Sequence, residues 1–172
     1  MQVYKAKASD FDDTKTSAMG DYVASKLDIE MGETAIALGV TDDFTGYVVS
    51  FYKNGKAAKV PLASFATKLN RKKLQNAYCS TAELAGIFTI KEDAEFALYS
   101  SAGKMLLVNT AFIPERAAKD TVGVSVLTLK KGAQLYNVKP VAEASIINAH
   151  RYRTRSLPAA GAIIKDEDFD AQ

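Results

Sequence analysis

The sequence has little of the material on which enzymes and secreted proteins usually depend. Its 172 residues include no tryptophan, one histidine (His150) and one cysteine (Cys79). A lone cysteine cannot form an internal disulfide, so we expect Cys79 to be a small buried hydrophobe in a protein of the reducing cytoplasm. One histidine leaves little material for a histidine-dependent triad, and no His/Cys cluster has the spacing of a zinc site.

Long apolar runs are absent as well. The apolar stretches are short and interrupted by polar residues, so none is predicted to cross a bilayer. No apolar segment follows the start at residues 1–5, so we expect no secretory signal. No glycine-rich phosphate loop with Lys and Ser/Thr occurs either. The sequence therefore predicts a cytoplasmic protein without membrane segment, cofactor or catalysis of its own.

Charge is almost balanced, at +2 overall, but it is segregated along the chain. Residues 10–43 carry nine acids against two bases, whereas residues 53–73 carry seven bases and no acid. Residues 150–155 add three arginines, and residues 166–170 are acidic again. This pattern fits an anion-binding face beside an acidic segment, and it fits a solvated surface with uneven charge equally well.

What the sequence does contain is strand texture. Gly46–Tyr52 is rich in β-branched and aromatic residues, and Asn54-Gly55 follows it directly. Asn-Gly predicts a tight hairpin because both central residues of a type I′ turn need a positive φ. Lys56–Leu62 is then the return strand. Residues 95–109 have the same pattern, with the turn at Gly103.

Aligning the two hairpins reveals an internal repeat of 48 positions. The matched positions are Gly55 with Gly103, Phe65 with Ile113, and Arg71 with Lys119. A more diverged copy lies at residues 3–11, which resemble residues 57–65 at a spacing of 54. That copy lacks its first strand, so we expect an open sheet edge. The segment at 152–157, or a second copy of the chain, is predicted to fill it.

Repeats of about 40–50 residues with four short strands are typical of propeller-like blades. We therefore predict an all-β, propeller-like fragment of about two to three four-stranded blades. The strand at Val122–Leu129 is placed between the second hairpin and the next blade. The predicted divisions are a partial blade at 1–40, blades at 41–90 and 91–141, a closing segment at 142–156, and a flexible acidic tail at 157–172. The repeat argues against a closed barrel that binds a small ligand.

Several segments resemble the C-terminal blades of DNA gyrase A subunits and topoisomerase IV A subunits. The resemblance is carried by Gly55–Phe65, by Ser101–Asn109 with its hairpin glycine and basic residue, and by Ala117–Leu129 with its Thr-x-Gly-Val pattern. Val3-Tyr4, Gly20, Leu27 and Gly32-Glu33 follow the order of the family's second blade. The resemblance covers roughly residues 2–140.

The resemblance implies a β-pinwheel that holds double-stranded DNA along a basic outer rim and bends it without reading the sequence. The expected partners are duplex DNA, the rest of the topoisomerase A subunit and its ATPase B subunit. The basic, glycine-rich box that marks gyrase is missing, so gyrase and topoisomerase IV both stay open. Arg151-Tyr152 is similar to the family's DNA-cleaving dipeptide, but its neighbours differ, and Tyr152 is predicted to be a packing aromatic.

Lysines and arginines at the blade corners are the candidate contacts, because each can meet a phosphate and release counterions. The candidates are Lys56, Lys59, Lys68, Arg71, Lys72, Lys73, Lys104, Arg116 and Lys119. The alternative function is a propeller-like protein-interaction module without DNA binding.

Overall fold

A computed structural model describes residues 2–67 and 72–169. The strands are β1 (Gln2–Tyr4), β2 (Tyr47–Tyr52), β3 (Lys56–Pro61), β4 (Lys73–Gln75), β5 (Leu84–Ile90), β6 (Glu95–Ser100), β7 (Lys104–Asn109), β8 (Val124–Ser125), β9 (Leu135–Pro140) and β10 (Ala162–Ile163). The one α-helical turn in this part of the chain is α1 (Val23–Lys26). Short 3-10 turns lie at Ala8–Asp10, Leu62–Phe65, Thr110–Phe112, Val141–Glu143, Ala149–Arg151 and Asp166–Asp168. The prediction of an all-β fold is confirmed.

The strands form two four-stranded antiparallel sheets and one two-stranded sheet. The first four-stranded sheet has the order β5-β2-β3-β8, and the second has the order β9-β6-β7-β10. The small sheet pairs β1 with β4. The two larger sheets therefore share one topology, and no described sheet closes into a barrel.

Both predicted hairpins are confirmed, but the type I′ turn predicted at Asn54-Gly55 is wrong, because Gly55 has a positive φ and Asn54 does not. β2 pairs with β3 and β6 pairs with β7, each across a short turn. In the first turn, Gly55 has a φ of 79° and its N–H donates to the carbonyl of Tyr52 at 2.9 Å. In the second, Gly103 has a φ of 68° and donates to Ser100 at 3.1 Å. Glycine suits both turns because it adopts a positive φ without steric cost.

The fourth strand of each sheet comes from later in the chain. β8 follows β7 in sequence but pairs with β3 of the preceding sheet, and β10 pairs with β7. A glycine precedes each of these strands: Gly123 has a φ of 71° and Gly161 a φ of 68°. A Cβ added at Gly123 would lie 1.8 Å from the carbonyl oxygen of Ala57, and one at Gly161 would lie 2.6 Å from that of Met105. Only glycine allows this close approach of two backbones.

The main core lies between the two four-stranded sheets. The ring of Phe96 on β6 lies 5.3 Å from that of Phe51 on β2 and 4.8 Å from that of Phe88 on β5. Val49 and Leu98, next to these rings in the same cluster, are fully buried. Burying these side chains supplies most of the driving force that holds the sheets together, at about 25 cal/mol per Å² of apolar surface.

Cys79 is buried in a smaller cluster with Tyr52 and Ala58, as predicted. Its N–H donates to the hydroxyl of Tyr52 at 3.3 Å. The thiol is therefore part of the packing.

The predicted loose tail is wrong for residues 159–169. Ala159 bridges to Leu127, β10 pairs with β7, and Phe169 bridges to Ile146. Asp168, one of the terminal acids, is only 2% exposed. These contacts were missed because strands of two residues are too short to produce a visible alternation.

The expectation that residues 152–157 complete the N-terminal sheet is also wrong. The carbonyl of Tyr152 accepts a hydrogen bond of 2.8 Å from the N–H of Leu107 on β7, and Arg153 bridges to the same residue. This segment therefore lies beside the second four-stranded sheet rather than beside β1.

Residues 11–45 contain no strand and are mostly exposed. They carry several large apolar side chains in solvent, among them Met19, Met31 and Leu38. Across the described ranges, no helix is long and apolar enough to span a bilayer.

Candidate nucleic-acid interface

Basic residues recur in the segments that lead back to a preceding sheet. We call the stretches that lead into β4, β8 and β10 the crossing segments. The first ends at Lys72, the second runs from Glu115 to Gly123, and the third runs from Arg153 to Gly161. Glu115 of the second crossing segment bridges in parallel to Lys59 on β3, and Arg153 of the third bridges in parallel to Leu107 on β7. Lys59 and Leu107 are 48 positions apart, which is the spacing of the repeat. The second and third crossing segments therefore follow equivalent edges of the two large sheets.

The first crossing segment meets the small sheet differently, because Lys72 lies directly before β4 and continues the antiparallel pairing of β1 with β4. The carbonyl of Lys72 accepts a hydrogen bond of 2.6 Å from the N–H of Lys5. Lys5 stands 54 positions before Lys59, the spacing between the diverged copy and the first full repeat. A crossing segment thus lies beside each of the three sheets, and the second and third lie at equivalent places.

Each crossing segment carries an exposed cation. Lys72, Arg116 and Arg155 are exposed, and none of them forms an ion pair within residues 2–67 and 72–169. Lys72 and Arg116 were predicted from the sequence, whereas Arg155 was not among the candidates. Its membership in the arginine-rich stretch 150–155 was the signal that pointed to it.

Two further lysines border the corner formed by residues 62–65. The Nζ of Lys119, a predicted candidate, donates to the carbonyl of Ser64 at 3.2 Å. The Nζ of Lys5 donates to the carbonyl of Phe65 at 3.3 Å. Lys5 was missed by the sequence analysis, although its alignment with Lys59 was available as a signal. Hydrogen bonds to neutral carbonyls leave both ammonium charges uncompensated.

Lys56 and Lys104 occupy the same position in their hairpins, as the first residue of the return strand. Both are half-buried, and neither forms an ion pair in the part of the chain that the structure describes. Lys104 and Lys130 flank a shallow depression beside the turn at residues 101–103. These lysines can supply positive charge at the hairpin ends of the sheets.

Lys59 is not at the surface. It is 4% exposed, and its Nζ lies 2.6 Å from the carboxylate of Asp93 and 4.2 Å from the ring centre of Tyr47. Desolvation acts to raise the pKa of Asp93, but the hydrogen bonds from Lys59 and Thr110 outweigh it and hold the pKa below its ordinary value. The charge of Lys59 is therefore satisfied inside the protein and is unavailable to phosphate.

Lys73 is engaged by the acidic segment. It forms an ion pair with Glu30 and lies 5.5 Å from the ring centre of Tyr4. The hydrogen bond to Glu30 is the main reason that the pKa of Lys73 is raised. The remaining candidates, Lys68 and Arg71, lie outside the described residues.

The arginines on either side of Tyr152 form ion pairs within the protein. Arg153 forms two hydrogen bonds of 2.8 Å to the carboxylate of Glu95, and Arg151 lies 3.4 Å from Asp168. The hydroxyl of Tyr152 donates to Asp168, and Tyr152 is 1% exposed. Burial and this hydrogen bond raise the pKa of Tyr152, whereas the same bond lowers that of Asp168. Tyr152 is a packing aromatic, as predicted, because its hydroxyl is buried in a structural network.

The fold is similar to that of solved topoisomerase domains. The C-terminal domain of a DNA topoisomerase IV superposes with a TM-score of 0.67 and 16% identity over 87% of this chain. The C-terminal domain of the E. coli ParC protein gives a TM-score of 0.60 at 11% identity over 87% of this chain. A DNA gyrase A C-terminal domain gives 0.51 at 19% identity over 69% of this chain.

The chain corresponds to only part of each of these domains. It spans 52% of the topoisomerase IV domain, 43% of the gyrase domain and 68% of the ParC domain. No known family profile and no curated protein sequence matches the chain. At these identities the likeness establishes the β-pinwheel type of fold, and the fold expected from the sequence resemblance is confirmed.

Proposed function

We propose that this chain is a non-catalytic DNA-binding part of a bacterial type IIA topoisomerase A subunit. In this role it holds double-stranded DNA by its phosphates and favours a bent path. DNA cleavage and ATP hydrolysis belong to the rest of the A subunit and to the B subunit. Gyrase and topoisomerase IV are both compatible with this role.

The observation that carries the proposal is an exposed cation on every crossing segment: Lys72, Arg116 and Arg155. Each lies on a crossing segment, is exposed and lacks an ion pair within the described ranges. A series of exposed cations, with one beside each sheet, suits DNA, whose phosphates recur at regular intervals along the helix. Lys5 and Lys119 add charge beside the corner at 62–65.

The energetics require several contacts to act together. Bending a site of 20–30 base pairs costs about 1–6 kcal/mol, so a single exposed lysine is not enough. Phosphate contacts also carry no sequence information, so the proposed binding is indifferent to base sequence. The fold likeness to topoisomerase C-terminal domains supports the assignment independently of the charges.

The test is a triple variant, Lys72→Ala with Arg116→Ala and Arg155→Ala, in duplex-DNA binding at several salt concentrations. Three lost phosphate contacts are expected to make the slope of log K against log salt shallower by about 2.7, at about 0.9 per contact. Binding is expected to weaken equally on duplexes of different sequence.

The matched control removes the same charge elsewhere, with Lys7→Ala, Lys15→Ala and Lys91→Ala. These lysines are exposed and lie outside the crossing segments. If both triple variants change the slope equally, only net charge matters and the crossing segments are not the contact. If neither variant nor parent binds heparin or duplex DNA at low salt, the protein-interaction module becomes the better assignment.

A further inference from the structure

Residues 35–41 have the pattern of a β-strand but no strand partner among the described residues. Ile36, Leu38 and Val40 alternate with Ala35, Ala37, Gly39 and Thr41. The three larger side chains are 61%, 92% and 84% exposed. Alternating apolar side chains are normally buried on one face of a sheet, so their exposure requires an explanation.

The repeat identifies the place of this segment in a sheet. Residues 35–41 begin 33 positions after the start of β1, close to the 28 positions from β3 to β5 and the 31 positions from β7 to β9. β5 pairs with β2, and β9 pairs with β6, so this is the strand beside the first hairpin strand of each large sheet. Residues 35–41 therefore correspond to that strand in the N-terminal copy.

Contacts between neighbouring sheets agree with this correspondence. A Cβ added at Gly39 would lie 2.3 Å from the Oγ1 of Thr89 on β5. A Cβ added at Gly86 on β5 would lie 3.3 Å from the Cβ of Val138 on β9. Residues 35–41 thus lie against β5, and β5 in turn lies against β9.

The ends of the segment are held against the small sheet. The hydroxyl of Tyr4 on β1 donates to the carboxylate of Glu33. At the other end, Phe44 and Val3 pack against the same buried cluster, which contains Leu74 of β4. The pair β1–β4 corresponds to the pairs β3–β8 and β7–β10 of the two large sheets. Together with residues 35–41, β1 and β4 account for three of the four strand positions of a sheet. The position of β2 and β6, between β1 and residues 35–41, has no described strand.

We propose that β1 and residues 35–41 form an acceptor for one further β-strand, which runs antiparallel to both. Unpaired N–H and C=O groups at a sheet edge favour strand addition, and the added strand would cover Ile36, Leu38 and Val40. The fitting occupant has the alternating pattern of β2 and a basic residue after it.

Charge supports this occupant over a second copy of the same edge. The acceptor segment is flanked by Glu33 on one side and by Asp42 and Asp43 on the other. Two such segments paired antiparallel would bring acids opposite acids, which destabilises a strand pair. A strand followed by a base avoids this clash, and the equivalent arrangement exists where Lys53, after β2, pairs with Glu83.

The test supplies this strand within the chain. Lys56 aligns with Gln2, so a copy of residues 45–55 inserted between Met1 and Gln2 places a strand and hairpin turn directly before β1. Hydrogen exchange of the amides of residues 35–41 is then expected to slow by about tenfold or more, because paired strand amides are protected. The control is the same insertion with Val49→Pro and Phe51→Pro in the copied segment, which removes strand N–H donors.

A free peptide of residues 45–55, added to the unmodified chain, provides a second measurement that does not depend on the insertion variant. Protection at 35–41 with the unaltered peptide but not with its proline version supports the proposal. Unchanged exchange at 35–41 in an insertion variant whose β6–β7 amides stay protected overturns it. So does a concentration-dependent dimer of the unmodified chain that already protects 35–41, since the occupant is then a second copy.

Discussion

The ion pair between Lys73 and Glu30 provides a sharp test of the proposed DNA contact. Glu30 lies in the acidic segment and Lys73 at the start of β4, just after the first crossing segment. Their side chains are 66% and 27% exposed, respectively. In Glu30→Gln the acid is removed, and Lys73 becomes available to a phosphate.

The magnitude follows from the exposure of the pair. Exposed ion pairs contribute about 0.2–1 kcal/mol, so Glu30→Gln is expected to leave the fold intact. One additional phosphate contact makes the slope of log K against log salt steeper by about 0.9. The slope is measured by fluorescence anisotropy with a labelled duplex across a series of salt concentrations.

The pair of Lys53 with Glu83 is the matched control. Lys53 is 33% exposed and Glu83 is 73% exposed, so the pair has nearly the same accessibility. Lys53 lies in the turn after β2 and is not part of a crossing segment. Glu83→Gln removes the same charge, and it is expected to raise affinity slightly without changing the slope by a full contact. Equal slopes for the two variants would refute the claim that Lys73 is positioned for a phosphate.

Three further predictions concern ion pairs and hydrogen bonds that the structure shows. Lys59→Met is expected to leave the salt slope of DNA binding unchanged, because the charge of Lys59 is buried against Asp93; anisotropy titrations of folded protein check this. The pKa of Asp93 is lowered in the folded state, so its contribution to stability is present above its ordinary pKa of about 3.9 and is lost as the pH falls through the lowered value. Denaturant unfolding between pH 5 and 2 is expected to show this loss in the parent chain and to show less of it in Asp93→Asn. Deletion of residues 166–172 is expected to lower the thermal midpoint, because Asp168 accepts hydrogen bonds from Tyr152 and Asn148; an unchanged midpoint would contradict this role.

The sequence was sufficient for the hairpins because their signals are local. A glycine at Gly55 or Gly103 between two apolar strands specifies a turn without knowledge of the rest of the chain. The spacing of 48 then related the hairpins to each other. The division at 1–40, 41–90, 91–141, 142–156 and 157–172 remains a prediction as a set of boundaries.

A local sequence pattern could not predict that β8 and β10 pair with strands of preceding sheets. Val122–Leu129 was recognised as strand-like, yet nothing in its own residues indicates that Val124 pairs with Ala57 of an earlier sheet. That pairing requires glycine at position 123, because the backbone there closely approaches Ala57, but this requirement can be recognised only when the positions of both backbones are known.

The same limit explains why some basic residues predicted as DNA contacts are exposed and others are held in ion pairs. Clustering in sequence selected Lys59 and Lys73 together with Lys72, but it cannot distinguish a buried ion pair from an exposed charge. Lys59 lies in β3, whose residues 57–60 are all buried, and the acid that neutralises it lies 34 positions away in the sequence. Arg116 and Arg155 are dispersed in sequence and become a set only because two crossing segments follow equivalent strand edges. Charge that the fold brings to corresponding places is therefore better evidence for a DNA contact than charge that is adjacent in the sequence.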